Sequence, residues 1–200
     1  MSETGFHMFN RAFSLGALGI YAVLLTAFFK PFLSSQSRKW QKPLLVFAVY
    51  FLFETVCSRA ALPQGSFGLI LAVVLLAASK WIGLEKSLVF LLTLLYFNAR
   101  ISSGLMVQSL YFLAERSLPF QLEPPEAVFL RAAVLVMLLL VSHAALLAVM
   151  LYALQRQMRK QSMTLRHREL CCLALVPTAG ILFGQVISRL LVEFKDGVLL

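Results

Sequence analysis

The chain has 200 residues, of which 60% are apolar and only 14% are charged. Soluble proteins carry charge on about a quarter of their residues, so this composition excludes an ordinary soluble domain. The net charge of +9 does not indicate nucleic-acid binding, because the basic residues cluster between apolar runs and reflect membrane topology. The expected fold is an all-α, polytopic integral membrane bundle in contact with the lipid bilayer.

Six apolar runs predict about six transmembrane helices within one domain of residues 1–200. The spans are expected at residues 13–32, 43–61, 66–84, 87–113, 127–154 and 170–192. Each run is long enough to cross about 30 Å of hydrocarbon at a rise of ~1.5 Å per residue. Between the third and fourth runs, Glu85 and Lys86 leave room for only a tight turn.

Basic residues favour the first, third and fifth connections, which the positive-inside rule places in the cytoplasm. These connections carry Lys30, Arg38, Lys39, Lys42, Lys80, Lys86, Arg156, Arg159, Lys160, Arg166 and Arg168. The second and fourth connections offer only Arg59, Arg116 and, at a helix start, Arg131. The prediction is a multi-pass protein of the cell membrane with both termini outside the cytoplasm.

The fourth span carries a polar stripe with Arg100 near its middle. The members of the stripe recur at steps of three and four residues, and they are Thr93, Tyr96, Arg100, Ser103, Gly104, Gln108 and Tyr111. Because lipid cannot satisfy polar groups, we expect the stripe to face the interior of the bundle. Asn98 lies off the stripe and is expected to contact a different neighbour.

Glu54, in the second span, is the only acidic residue deep inside any predicted span. A pairing with Arg100 is expected, because each charge alone in the membrane would be costly. Two interpretations stay open. The pair either fixes the register of two helices or forms part of a site or switch.

His143 lies near the middle of the fifth span. It either senses protons or, as a neutral ring, bonds across helices. A metal site is not expected, because no second His, Cys or carboxylate lies three or four residues along its face. We also expect no cofactor and no catalytic activity, since no P-loop, nucleophile elbow or zinc-protease motif occurs.

An outer ligand surface is predicted where the fourth and sixth spans reach the same depth. Gln108 and Tyr111 of the fourth span would line it with Gln185 and Arg189 of the sixth, beside the connection of residues 115–126. Arg189 could meet a carboxylate or a peptide carbonyl there. The alternative is that Arg189 extends to the membrane interface and pairs with Glu193, four residues along the helix.

Residues 168–200 read RELCCLALVPTAGILFGQVISRLLVEFKDGVLL, with a Glu-Leu start, a VPTAG centre, an arginine near the outer end and an FKDGV exit. This segment resembles the membrane sensor region of GHKL-type histidine kinases from Firmicutes, relatives of the staphylococcal quorum-sensing kinases. The resemblance implies an input domain that rearranges its helices on binding an extracellular small or peptide signal. It also implies a homodimer, because the output of such proteins is a dimeric cytoplasmic kinase.

The chain departs from that family in having no phospho-acceptor helix and no ATP-binding boxes. A seventh span would be needed to bring a kinase into the cytoplasm. The chain is therefore expected to be either a piece of a longer protein or a relative without a kinase.

Two other classes of protein fit the same features. One is a small six-helix transporter subunit, such as the substrate-binding component of a vitamin or small-solute uptake system. Such subunits usually have both termini inside, which the distribution of bases opposes. The other is a structural or assembly protein in which the buried charges only lock helices together.

Overall fold

The computed structural model describes the backbone of residues 3–33, 41–57, 64–117 and 125–160, together with residues 178–180, 183, 186 and 187. These residues are almost entirely helical. Helix α1 is Glu3–Phe29 and continues into a 3-10 turn, Lys30–Phe32. The other helices are α2, Gln41–Cys57; α3, Gln64–Ile82; α4, Lys86–Ser117; and α5, Pro125–Lys160.

Among the described residues, three helices are long and apolar enough to cross a membrane. The qualifying stretches are Ala12–Phe32, Lys86–Tyr111 and Ala133–Arg156, and Phe67–Ile82 is a shorter apolar helix. These stretches correspond to the first, fourth and fifth predicted spans, with the shorter one in the third. The all-α membrane class is thus supported, while most of the predicted span at residues 170–192 lies outside the described residues.

The tight turn predicted between the third and fourth spans is present. Gly83 has a φ of 74°, a left-handed conformation that favours glycine. The N–H groups of Gly83 and Leu84 both donate to the carbonyl oxygen of Ser79, at 2.8 and 3.3 Å. These bonds close the carboxyl end of α3 in the manner of a glycine C-cap, and α4 begins at Lys86.

The five described helices pack in chain order, and α5 returns to pack against α1. α4 also contacts α1, so α1 and α4 each pack against three other helices. The order follows from short connections, since a brief loop joins antiparallel neighbours.

The first half of α4 forms the core of the bundle. Its buried side chains point in every direction around the helix axis, and they are Val89, Leu91, Leu92, Thr93, Leu94, Tyr96, Phe97 and Ala99. We call residues 89–99 the packed half of α4. In residues 101–111, the open half, only Ser103 and Val107 are buried.

The neighbours of α4 show the same division. No residue from 12 to 20 of α1 is buried, whereas Tyr21 and Ala22 begin its buried face. On α5 no residue from 133 to 139 is buried, and burial begins at Leu140. Tyr96 is hydrogen-bonded to the backbone of α1 at Tyr21, so these changes occur at a common depth. One end of the described bundle is therefore tightly packed and the other is open.

Candidate functional site

Arg100 lies at the boundary between the two halves of α4 and pairs with Glu54 of α2. Its Nη2 donates to Glu54 Oε1 at 2.5 Å, and its Nη1 donates to the hydroxyl oxygen of Tyr50 at 2.7 Å. Tyr50 and Glu54 are one helical turn apart, so α2 presents both groups on one face. The ion pair predicted from the sequence is thereby confirmed.

Aromatic rings surround the guanidinium group of Arg100. The ring of Tyr21 lies 4.3 Å from its central carbon, a distance typical of a cation–π contact, and Phe97 lies at 6.0 Å. Tyr96, one turn before Arg100, donates its hydroxyl to the Tyr21 carbonyl oxygen at 2.8 Å. Helices α1, α2 and α4 thus meet around a single cation.

His143 brings α5 into the same region. It is fully buried, and its ring lies edge-on to Tyr96 at 4.9 Å and to Tyr21 at 5.5 Å. The backbone of Ala99 in α4 lies within hydrogen-bonding reach of the His143 ring, so the histidine links α5 to α4. Glu54 Oε2 is buried without a partner, and leaving such a group unpaired typically costs about 1–3 kcal/mol.

We call these six side chains the Arg100 cluster: Tyr21, Tyr50, Glu54, Tyr96, Arg100 and His143. The cluster contains one cation and one anion and is electrically neutral overall if His143 is uncharged. Among the described residues, no three His, Cys, Asp or Glu side chains lie close enough together to hold a metal ion. The cluster combines hydrogen-bond donors, acceptors and aromatic rings from four helices.

Other predicted polar residues bond mainly within their own helix. Ser103 donates to the carbonyl oxygen of Arg100 at 2.8 Å, and Thr93 donates to that of Val89 at 2.7 Å. Asn98 accepts from Ser102 at 3.4 Å and faces the last predicted span, where a Cβ on Gly180 would lie 2.9 Å from its amide atoms. Asn98 and Ser103 thus belong to the surroundings of the cluster rather than to its charged centre.

The predicted outer ligand surface is only partly within the described residues. Gln108 is exposed and Tyr111 is half-buried, both in the open half of α4. Gln185 and Arg189 lie outside the described residues, as does most of the connection at residues 115–126. That surface stays a prediction.

Sequence reasoning missed Tyr21, the ring that covers Arg100. The available signal was its hydroxyl, since a tyrosine in the middle of an apolar run needs a partner for that group.

Comparisons with known proteins found no relative. No family model matches the chain, and no match was found among curated proteins or solved structures.

Proposed function

We propose that this chain is a six-span, membrane-embedded input domain that binds an extracellular small or peptide signal and transmits it to a histidine kinase. The observation that carries the proposal is the Glu54–Arg100 pair, which joins α2 to α4 inside an apolar bundle. A buried ion pair is weak evidence of stability, because removing two charges from water offsets much of their attraction. A role beyond stability accounts for its presence in a membrane better than a purely structural role does.

The position of the pair suits a switch between two helix arrangements. Arg100 stands where α4 passes from its packed half to its open half, and three other helices contribute groups to its surroundings. A ligand that touches the residues beside Arg100 in one helix arrangement and not in the other would bind the first arrangement more tightly. Such differential contact is what shifts a conformational equilibrium.

The topology belongs to the same proposal. The bases on odd-numbered connections support cytoplasmic loops there and extracytoplasmic termini. With that orientation the open end faces outward, beside the candidate ligand residues Gln108, Tyr111, Gln185 and Arg189. The resemblance of residues 168–200 supports a histidine kinase as the partner that receives the signal.

Topology is tested by cysteine labelling in intact cells. Single cysteines at Ser2 and Leu200, in a background lacking Cys57, Cys171 and Cys172, should react with a membrane-impermeant maleimide. A cysteine at Gln161, in the fifth connection, is the protected control. Protection of either terminus from the reagent contradicts the orientation.

Signalling is tested by joining the chain, through a seventh span, to a kinase whose autophosphorylation is measured in membrane vesicles. Glu54→Gln and Arg100→Gln should each change basal phosphorylation by about 5- to 150-fold, the range of allosteric coupling energies. Met106→Leu, an exposed change in the open half, is the control and should leave it unchanged. Unchanged output in both charge variants, with normal insertion, rejects the sensor role; solute uptake by the chain alone would favour the transporter class.

A further inference from the structure

Basic side chains gather at the packed end of the bundle, where α4 begins. Each of the five helices, with the 3-10 turn counted as part of α1, brings one base to this end: Lys30, Lys42, Lys80, Lys86 and Arg156. Lys42 is half-buried and the others are exposed. Glu85 is the only acidic residue that the structure describes at this end. The packed end therefore carries a strong positive charge on helical elements.

Three of these bases surround the turn between α3 and α4. The Nζ atom of Lys42 lies 2.8 Å from the position that a Cβ on Gly83 would occupy, so a side chain of α2 reaches over the turn. Lys80 comes about one helical turn before Gly83, and Lys86 follows the glycine at the start of α4. We call Lys42, Lys80 and Lys86 the turn lysines. Because lysine carries its charge on a long flexible stem, all three can meet one anionic group at this turn.

Helix α3 packs against α2 and α4 and turns another face outward. That face carries an exposed apolar stripe at steps of three and four residues, formed by Ile70, Val73, Ala77 and Trp81. Lys80 lies two helical turns beyond Val73 and so continues the same side of the helix. Trp81 is 74% exposed, and membrane proteins are enriched in tryptophan at the level of the lipid head groups. The stripe thus leads along α3 to a base and an interfacial ring.

We propose that this turn binds an anionic phospholipid, with the head-group phosphate among the turn lysines and an acyl chain along the stripe of α3. Charge complementarity favours the anionic head group, because Glu85 offsets only one of the turn lysines and leaves the turn positive. The exposed stripe supplies the hydrocarbon contact next to it. Basic pockets between helices at a membrane surface are known sites for anionic head groups.

The arrangement selects a lipid over other anions. A topology signal needs bases only in the connections, whereas Lys42, Lys80 and Lys86 lie on three helices around one turn. In a bilayer the stripe of α3 is in contact with acyl chains, so the anion at the depth of the turn lysines is the head group of the same lipid. A soluble acidic protein or a free phosphate group would have to displace that head group. The inference is independent of the sensor role, because it requires only that α3 lies in a bilayer.

The experiment measures the fluorescence of Trp81 in the full chain, reconstituted in phosphatidylcholine vesicles. Trp40→Phe leaves Trp81 as the only tryptophan. Brominated phosphatidylglycerol or brominated phosphatidylcholine is included at equal mole fractions, and bromine quenches the ring only on contact. We expect the anionic lipid to bind beside Trp81 at least about fivefold more tightly, which is the contribution of one lysine near an anionic membrane surface. Equal quenching by the two lipids overturns the proposal.

Two double variants that remove equal charge locate the site. Lys80→Gln with Lys86→Gln should reduce the preference for the anionic lipid to less than about twofold. Lys30→Gln with Arg156→Gln is the matched control, since it removes two bases from the same end of the bundle on the side of α1 and α5, and it should keep the preference. Equal losses in both double variants would reflect a general surface potential, and an intact preference in the first would place the lipid elsewhere. Either result refutes the site.

Soluble glycerol phosphate distinguishes a lipid from a free phosphate group. In large excess it should leave quenching by brominated phosphatidylglycerol unchanged, because it lacks the acyl chains that hold the head group at the turn. Displacement of the lipid would assign the turn to free phosphate and overturn the proposal. The comparison of the two brominated lipids is made with every lysine intact, so it is decisive even if a lysine variant fails to insert.

Discussion

The two halves of α4 differ in packing although the same kinds of residue build them. The packed half, residues 89–99, is covered by other helices on all sides, whereas the open half, residues 101–111, buries only Ser103 and Val107. Both halves carry polar groups on one stripe and apolar groups elsewhere. Position within the bundle, not composition, therefore decides which part of the helix is held by its neighbours and which part is free to change its packing.

The Arg100 cluster lies at the border of these halves. Arg100 is 27% exposed and Glu54 is 11% exposed, so the arginine side of the pair is the less enclosed one. The packed half holds the tyrosine rings in place, while part of the Arg100 side chain stays exposed toward the open half. A rigid frame with one accessible side is the arrangement that a binding site needs.

The largest expected effect comes from breaking the pair. Glu54→Gln leaves Arg100 without its carboxylate, and loss of one partner of a buried pair costs about 3–5 kcal/mol. The measurement is the free energy of unfolding in mixed micelles, from titration with a denaturing detergent.

Two controls accompany that measurement. Glu85→Gln makes the same chemical change at an exposed turn and should alter stability by less than about 1 kcal/mol. The double variant Glu54→Gln with Arg100→Met removes both charges and should recover part of the loss. A double variant less stable than Glu54→Gln alone would contradict the ion-pair account.

A smaller effect should distinguish leucines in the two halves. Leu92→Ala, in the packed half, opens a cavity and should cost about 2 kcal/mol, a value set by cavity volume. No large transfer term adds to it, since lipid is as apolar as the core. Leu110→Ala, in the open half, removes a 63%-exposed side chain and should cost almost nothing. Equal losses in the two unfolding titrations would mean that α4 is packed uniformly.

The sequence predicted the charged centre well because charges are rare in apolar runs and must find partners there. Arg100 and Glu54 are each the deepest charge in their span, so their pairing followed from cost alone. The turn at Gly83 was equally predictable, since two charged residues separate the apolar runs. These predictions rest on residues that have few favourable environments in a membrane protein.

The division of α4 could not be predicted in the same way. Leu92 and Leu110 are identical in sequence terms, because an apolar side chain is suited to lipid and to another helix alike. Tyr21 was missed for a related reason, since tyrosine is also common at membrane interfaces. Helix α1 starts at Glu3, before the apolar run, because helices continue beyond the membrane wherever the local sequence permits.

The smallest effects come from glycines in the two halves. In Gly68→Ala, the added methyl group would lie 2.9 Å from the ring of Phe97, itself buried in the packed half, so stability should fall by about 1 kcal/mol. In Gly104→Ala the methyl group meets no atom of the described residues within 4 Å, and the gain in helix propensity should raise stability by about 0.5–1 kcal/mol. The two variants carry the same chemical change, so opposite signs in parallel unfolding titrations isolate the difference in packing. A destabilising Gly104→Ala would mean that the space beside Gly104 is filled and that the open half is more tightly packed than the structure shows.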